Sequence, residues 1–143
     1  ALALLLRLVE ADFGVWLELV DTDLTEFEIR KTRRDVKTRD GVATSFVLEE
    51  GERRLRAEVR VVMVDVYGNE VVSSMVIGSV VGDFRRGVYD GDPRELNLGR
   101  RDVDLFDDLA LQAQHQDLRQ AVADDLAGLI GPVVLDPVLA RVP

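Results

Sequence analysis

The sequence predicts an α+β fold: a mostly antiparallel sheet built on a long central hairpin, with helices packed on one face as a two-layer sandwich. Three observations lead there. Residues 53–84 hold two β-branched runs separated by Gly68-Asn69, a pair that suits a tight turn because glycine reaches positive φ without steric cost. An apolar run opens the chain and a long amphipathic run closes it. No period of self-similarity marks a repeat protein.

The hairpin sets the frame. A turn at Gly68-Asn69 pairs Tyr67 with Glu70, and the alternation then puts Leu55, Ala57, Val59, Val61 and Met63 on one face with Ser74, Val76, Gly78, Val80 and Gly82. Small residues opposite large ones make that face a seat for a helix. The reverse face carries Arg54, Arg56, Glu58 and Arg60 at the open end. Near the turn it carries Val62, Val64, Val66, Val71 and Met75, so the turn end is expected to be covered on both faces.

Around that frame, residues 2–11 are apolar nearly all round and read as a buried helix. Residues 15–20 form a first strand with Trp16 buried or at an interface, and Asp21-Thr22-Asp23 is turn chemistry. A second strand follows from about Thr25 to Val36. Residues 38–52 read as a connection in which Phe46, Val47 and Leu48 add a short strand. Residues 85–102 hold Gly87, Asp90-Gly91 and Asp92-Pro93 and read as a long loop with one edge strand at Val88-Tyr89. Asp102 or Asp104 then caps a helix running to Ile130, where Gly131-Pro132 stops it. Its stripe is Leu105, Phe106, Leu109, Ala113, Leu118, Ala121, Val122, Leu126 and Leu129, and the tail beyond packs in extended form.

Size bounds the rest. The 143 residues read as a single α+β domain, and the start at Ala1 without methionine suggests a piece of a longer chain. No cysteine is present, which removes disulfides and thiolate zinc sites. The run ALALLLRLV is too short to span a bilayer and lacks the pattern of a signal peptide, so no transmembrane segment is expected.

The net charge is −9. Residues 30–60 nevertheless hold ten basic and six acidic side chains, so a basic patch sits inside an acidic chain. Arg30, Arg33, Arg34, Arg54, Arg56 and Arg60 are the candidate binding residues, with Lys37, Arg39 and Arg53 beside them. Arginine forks suit carboxylate or phosphate. The competing reading is a solvated face paired with Asp35, Glu49, Glu50, Glu52, Glu58 and Asp83, with Arg54 opposite Asp83. Nucleic acid is excluded as a partner, because the domain is acidic and aromatics do not interleave with the bases.

No catalytic, metal or cofactor motif stands out. Asp90 and Asp92 resemble the start of a calcium loop, but Glu95 falls too early to close it. Asp104, Asp107 and Asp108 crowd a helix start, where the free amides favour them. His115 lies among glutamines and reads as solvated, and no Ser stands in a nucleophile elbow.

The phrase LRAEVRVVMVDVYGNEV followed by FRRGVYDGD, in the order helix, strand, hairpin, acidic closing helix, resembles small α/β modules of bacterial envelope assembly lipoproteins. The lipopolysaccharide-assembly plug lipoprotein and the curli-secretion or penicillin-binding-protein-activator lipoproteins are of this kind. The lipid-bearing cysteine of such proteins is not in this sequence. The resemblance implies a non-enzymatic assembly role in the periplasm or at the inner face of the outer membrane, with basic residues meeting a protein partner or an acidic glycolipid. Homo-oligomerisation through residues 1–11 is a further expectation. The alternative is a small-molecule or enzymatic site under the 85–102 loop, built from Asp90, Asp92 and Arg94.

Overall fold

The computed structural model describes the backbone of residues 2–8, 11–65 and 67–139 and the side chains of 13–65 and 67–136. The fold is α+β: an antiparallel sheet with a helix packed on it. The strands are β1 (Leu2–Leu8), β2 (Ala11–Lys37), β3 (Ala43–Val64) and β4 (Glu70–Val88), hydrogen-bonded in that order. The helix α1 spans Asp108–Leu139, after short 3₁₀ turns at Pro93–Glu95 and Val103–Phe106.

The opening run departs from the expected helix. Residues 2–8 form a strand, not a helix, pairing from Leu2↔Leu17 to Leu8↔Ala11. A short apolar run without periodicity fits a buried helix and a strand equally. Its neighbour decides, because residues 11–17 offer a ladder. The oligomerisation expected of residues 1–11 depends on side chains outside the described residues.

β2 also differs from expectation, running unbroken through Asp21-Thr22-Asp23. Turn-forming side chains express that preference only where the backbone lacks a ladder. The irregularity falls later, at Glu28, whose φ of 52° lies in the left-handed region and breaks the extended backbone locally.

Two corners share one construction. Thr38 N–H donates to the Val42 carbonyl at 2.8 Å, Gly41 N–H donates to the Thr38 carbonyl, and Gly41 has φ 86°. Asp65 N–H likewise donates to the Asn69 carbonyl at 3.0 Å, Gly68 N–H donates to the Asp65 carbonyl, and Gly68 has φ 79°. The side chain opening each corner accepts a further amide: Thr38 Oγ1 from Val42, and Asp65 Oδ1 from Tyr67 and Asn69. The expected pairing of Tyr67 with Glu70 across a two-residue Gly68-Asn69 turn is therefore replaced by a wider corner closed by Asp65 and Asn69. The expected connection over 38–52 shrinks to Thr38–Val42, with β3 starting at Ala43. Aspartate before Gly41 was the missed turn signal.

The chain divides into two compact units. One comprises residues 1–24, 55–80 and 120–143, and the other residues 25–54 and 81–119. In the first, Phe13, Val15, Val61, Met63, Val76 and Val134 form the core, with Leu126, Ile130 and Val133 against it. Small residues seat the helix: Gly78 lies under Leu126 and Val122, where a Cβ would approach Leu126 Cγ to 2.7 Å. The opposite face, expected to be covered near the turn, is covered in part: Val62, Val64 and Val71 are half-buried, Met75 is 45% exposed and Trp16 is half exposed, while Val66 lies outside the described residues.

In the second unit, Phe46, Leu48, Leu96 and Leu105 form the core, flanked by Val36, Tyr89, Leu98 and Phe106. Phe106 meets Phe46 edge to face at 5.4 Å and lies flat on Gly87.

The helix differs from expectation at both ends. Asp107, not Asp102 or Asp104, caps it, with Oδ1 accepting Leu109 N–H at 3.0 Å. It then continues through Gly131-Pro132 to Leu139. An interior proline costs about 3 kcal/mol, and burial of Ile130, Val133 and Val134 on both sides of Pro132 offsets it. The buried stripe uses Leu118, Val122 and Val134 with half-buried Leu126 between them, whereas Leu109 and Leu129 face outward.

β4 runs to Val88, beyond the expected loop start. Helix side chains satisfy part of its backbone. Asp125 accepts Ser79 N–H at 3.0 Å, and the Gln114 amide bonds both the N–H and the carbonyl of Arg85, each at 3.2 Å. Gln114 thus substitutes for a neighbouring strand.

Candidate functional site

The second unit holds the densest cationic stretch, Arg30 to Lys37, on the last third of β2. Its far end is anchored by the loop after β4. Thr38 and Leu96 form an antiparallel bridge. Arg39 N–H donates to the Glu95 carbonyl at 2.8 Å, and Asn97 N–H donates to the Lys37 carbonyl at 2.9 Å. The outer backbone groups at that end thus belong to residues 37 and 39. Since consecutive strand residues point their backbone groups to opposite edges, those of Lys31, Arg33 and Asp35 face the same outer edge.

The basic side chains along this edge are exposed and loosely paired. Arg30 lies 3.8 Å from Glu50, and Lys31 lies 3.7 Å from Glu49. Arg33 pairs with Asp35 at 3.5 Å, both side chains more than three-quarters exposed. Arg34 is exposed and makes no ion pair among the described residues. Exposed pairs of this kind contribute about 0–1 kcal/mol, so these guanidinium groups remain free to bind an incoming anion.

The other expected residues are placed differently. Arg54 stacks on Phe27 with its guanidinium carbon 5.2 Å from the ring centre rather than pairing with Asp83. Arg56 and Arg60 belong to the first unit, where they meet Glu58 at 2.9 Å and Glu18 at 4.0 Å.

A second cluster was not legible in the sequence. Arg86 Nε donates to Glu49 at 2.7 Å, and Nη1 donates to Glu26 at 2.9 Å, joining β2, β3 and β4. Arg86 and Arg53 both lie against the ring of buried Phe84, at 5.0 and 4.6 Å. Hydrogen bonds from Arg86 to Glu26 and then to Glu49 hold its guanidinium more firmly protonated. Arg86 fell in the expected loop, where no strand face could be assigned to it. Having both carboxylates in hand, it is a structural tie.

Asp92 is similarly committed. Its carboxylate takes Arg94 Nη2 at 2.9 Å and the Arg94 amide at 3.0 Å, capping the first 3₁₀ turn. Those hydrogen bonds hold Asp92 below the usual carboxylate range. Asp90 is exposed beside it. No group of three or more metal-capable side chains occurs among the described residues. A cleft of about 270 Å³ lies under the loop, lined by Arg39, Arg94, Leu96, Leu98 and Phe106 among others; neither Asp90 nor Asp92 lines it. His115 is half-buried on α1. No helix is long and apolar enough to cross a membrane among the described residues.

No protein-family model, curated protein or solved structure matches this chain.

Proposed function

We propose that the chain is a non-catalytic interaction and assembly domain of a bacterial cell-envelope protein, working in the periplasm or at the inner face of the outer membrane. Its basic strand segment meets an acidic protein partner or an acidic glycolipid. The observation that carries this reading is the state of Arg30, Arg33 and Arg34. They are exposed and bound at most through loose surface pairs, while Arg53 and Arg86 are tied into the fold. A shifted acid and base sharing a cleft would argue for catalysis; among the described residues the shifted carboxylates are Glu52, beside other acids, and Asp92, tied to Arg94.

The reading takes β3 and β4 as the central hairpin and α1 as the second layer of a two-layer sandwich. The close seats of Leu126 on Gly78 and of Leu118 on Gly82 support it.

The test replaces Arg30, Arg33 and Arg34 together with Ser and measures binding to vesicles carrying an acidic glycolipid and to a glutamate-rich peptide, at low and high salt. Binding by the wild type to at least one, weakened about tenfold or more in the variant, is expected for three lost charge-assisted contacts. Unchanged binding to both, or none by the wild type, would rule the reading out.

A second reading, a small-molecule site, rests on the cleft under the loop. Arg94→Ala would abolish a ligand-induced thermal shift if that cleft is the site.

A further inference from the structure

We propose that the outer edge of β2 between Ile29 and Val36 is a docking site for an extended acidic segment of a partner protein, which adds there as a further strand. This deepens the function proposed above and rests on it for the sign of the partner's charge.

Three observations lead to the edge. First, the chain itself already uses it: Glu95–Asn97 pairs with Lys37–Arg39 as a minimal strand, so the ladder is open for extension from Val36 backwards. Second, among the described residues β1 pairs with β2 over residues 11–17, and the strand order places no other described strand on that side. The backbone groups of Lys31, Arg33 and Asp35 therefore point outward with no described segment opposite. Third, the other edge of the sheet is treated differently. In the same unit Gln114 closes both backbone groups of Arg85 on β4. One edge is thus plugged by a helix side chain, and the other has no described segment against it between Ile29 and Val36. The left-handed backbone at Glu28 ends the regular stretch on its other side.

Charge selects the occupant. Between Ile29 and Lys37 stand Arg30, Lys31, Arg33, Arg34 and Lys37 against Asp35 alone. Two copies of this edge would set like charges across the new ladder, which is how natural edges reject self-pairing. A strand bearing Glu or Asp meets the opposite situation, with backbone hydrogen bonds supplying affinity and the arginine forks supplying selection.

The experiment uses a labelled peptide alternating Glu with Thr and Val, the same peptide N-methylated on alternate residues, and a Lys counterpart. On the protein side Asp35→Pro removes one outward N–H and no positive charge, at an edge position where proline is tolerated. Asp35→Ala removes the charge alone.

The proposal expects the Glu peptide to bind and the Lys peptide not to. N-methylation and Asp35→Pro should each weaken binding at least about tenfold, while Asp35→Ala leaves it unchanged or tighter. Circular dichroism checks the fold of the proline variant, and the N-methylated peptide decides the matter on wild-type protein if that variant does not fold. Equal binding of the N-methylated peptide would overturn strand addition and leave the charge-based function standing. So would binding only to glycolipid vesicles. A wild-type dimer that Asp35→Pro dissociates would replace the acidic partner with a second copy. If instead Asp35→Pro abolishes binding and the triple Ser variant does not weaken it, the edge stands and the basic-patch reading falls.

Discussion

Arg86 Nε sits 2.7 Å from Oε2 of Glu49, and Glu49 is buried. The same guanidinium reaches Glu26, so a residue of β4 fastens carboxylates from β2 and β3. Replacing Arg86 with Met should leave Glu49 with only the loose pair to Lys31 at 3.7 Å. A destabilisation of about 1–3 kcal/mol is expected, below the range for a fully buried pair because the arginine is about a third exposed. Urea unfolding measures it, and adding Glu49→Gln should recover part of the loss.

Gly87 and Phe106 form a contact that admits no side chain. A Cβ at residue 87 would lie 2.3 Å from Phe106 Cζ. Gly87→Ala must displace a ring that also packs edge to face on Phe46, at an expected cost of about 1–3 kcal/mol. Combining it with Phe106→Leu should cost less than the two single changes added together, which a double-mutant cycle in thermal or urea unfolding reads directly.

The two glycine corners make a cleaner case. At Gly41 and Gly68 an added Cβ meets nothing within 4 Å, so any penalty is conformational. Alanine at either position should cost about 1–2 kcal/mol through the left-handed backbone. Asparagine should cost less, and equal effects at the two sites would reflect their shared hydrogen bonding.

Glu52 gives a pH-dependent prediction. Its pKa is raised above the ordinary 4.5, first by partial desolvation and then by Glu28 and Asp83. The folded state therefore holds a proton that the unfolded state releases, and stability from this group falls as pH rises from 4.5 through the raised value. Glu52→Gln should be more stable than wild type at neutral pH, with the advantage vanishing below the ordinary carboxylate range. Urea midpoints on either side of that range provide the check.

The chain order of apolar and polar residues by itself determined the α+β class, the antiparallel sheet, the face shared by Val61, Met63 and Val76, and the closing helix. Each follows from local periodicity. It also placed the basic stretch from Arg30 to Lys37, because charge density needs no fold to be counted. Periodicity could not decide between helix and strand for Leu2–Leu8, and turn propensity could not know that a ladder would hold Asp21-Thr22-Asp23 extended. Both were settled by neighbours distant in sequence. The tertiary structure alone also decided which arginines are tied and which are available. Arg86 finds its carboxylates 60 and 37 positions away, and the pairing of β1 with residues 11–17 of β2 joins partners that no local pattern names. Hydrogen bonding across a sheet is set by what lies alongside, and no local pattern records that.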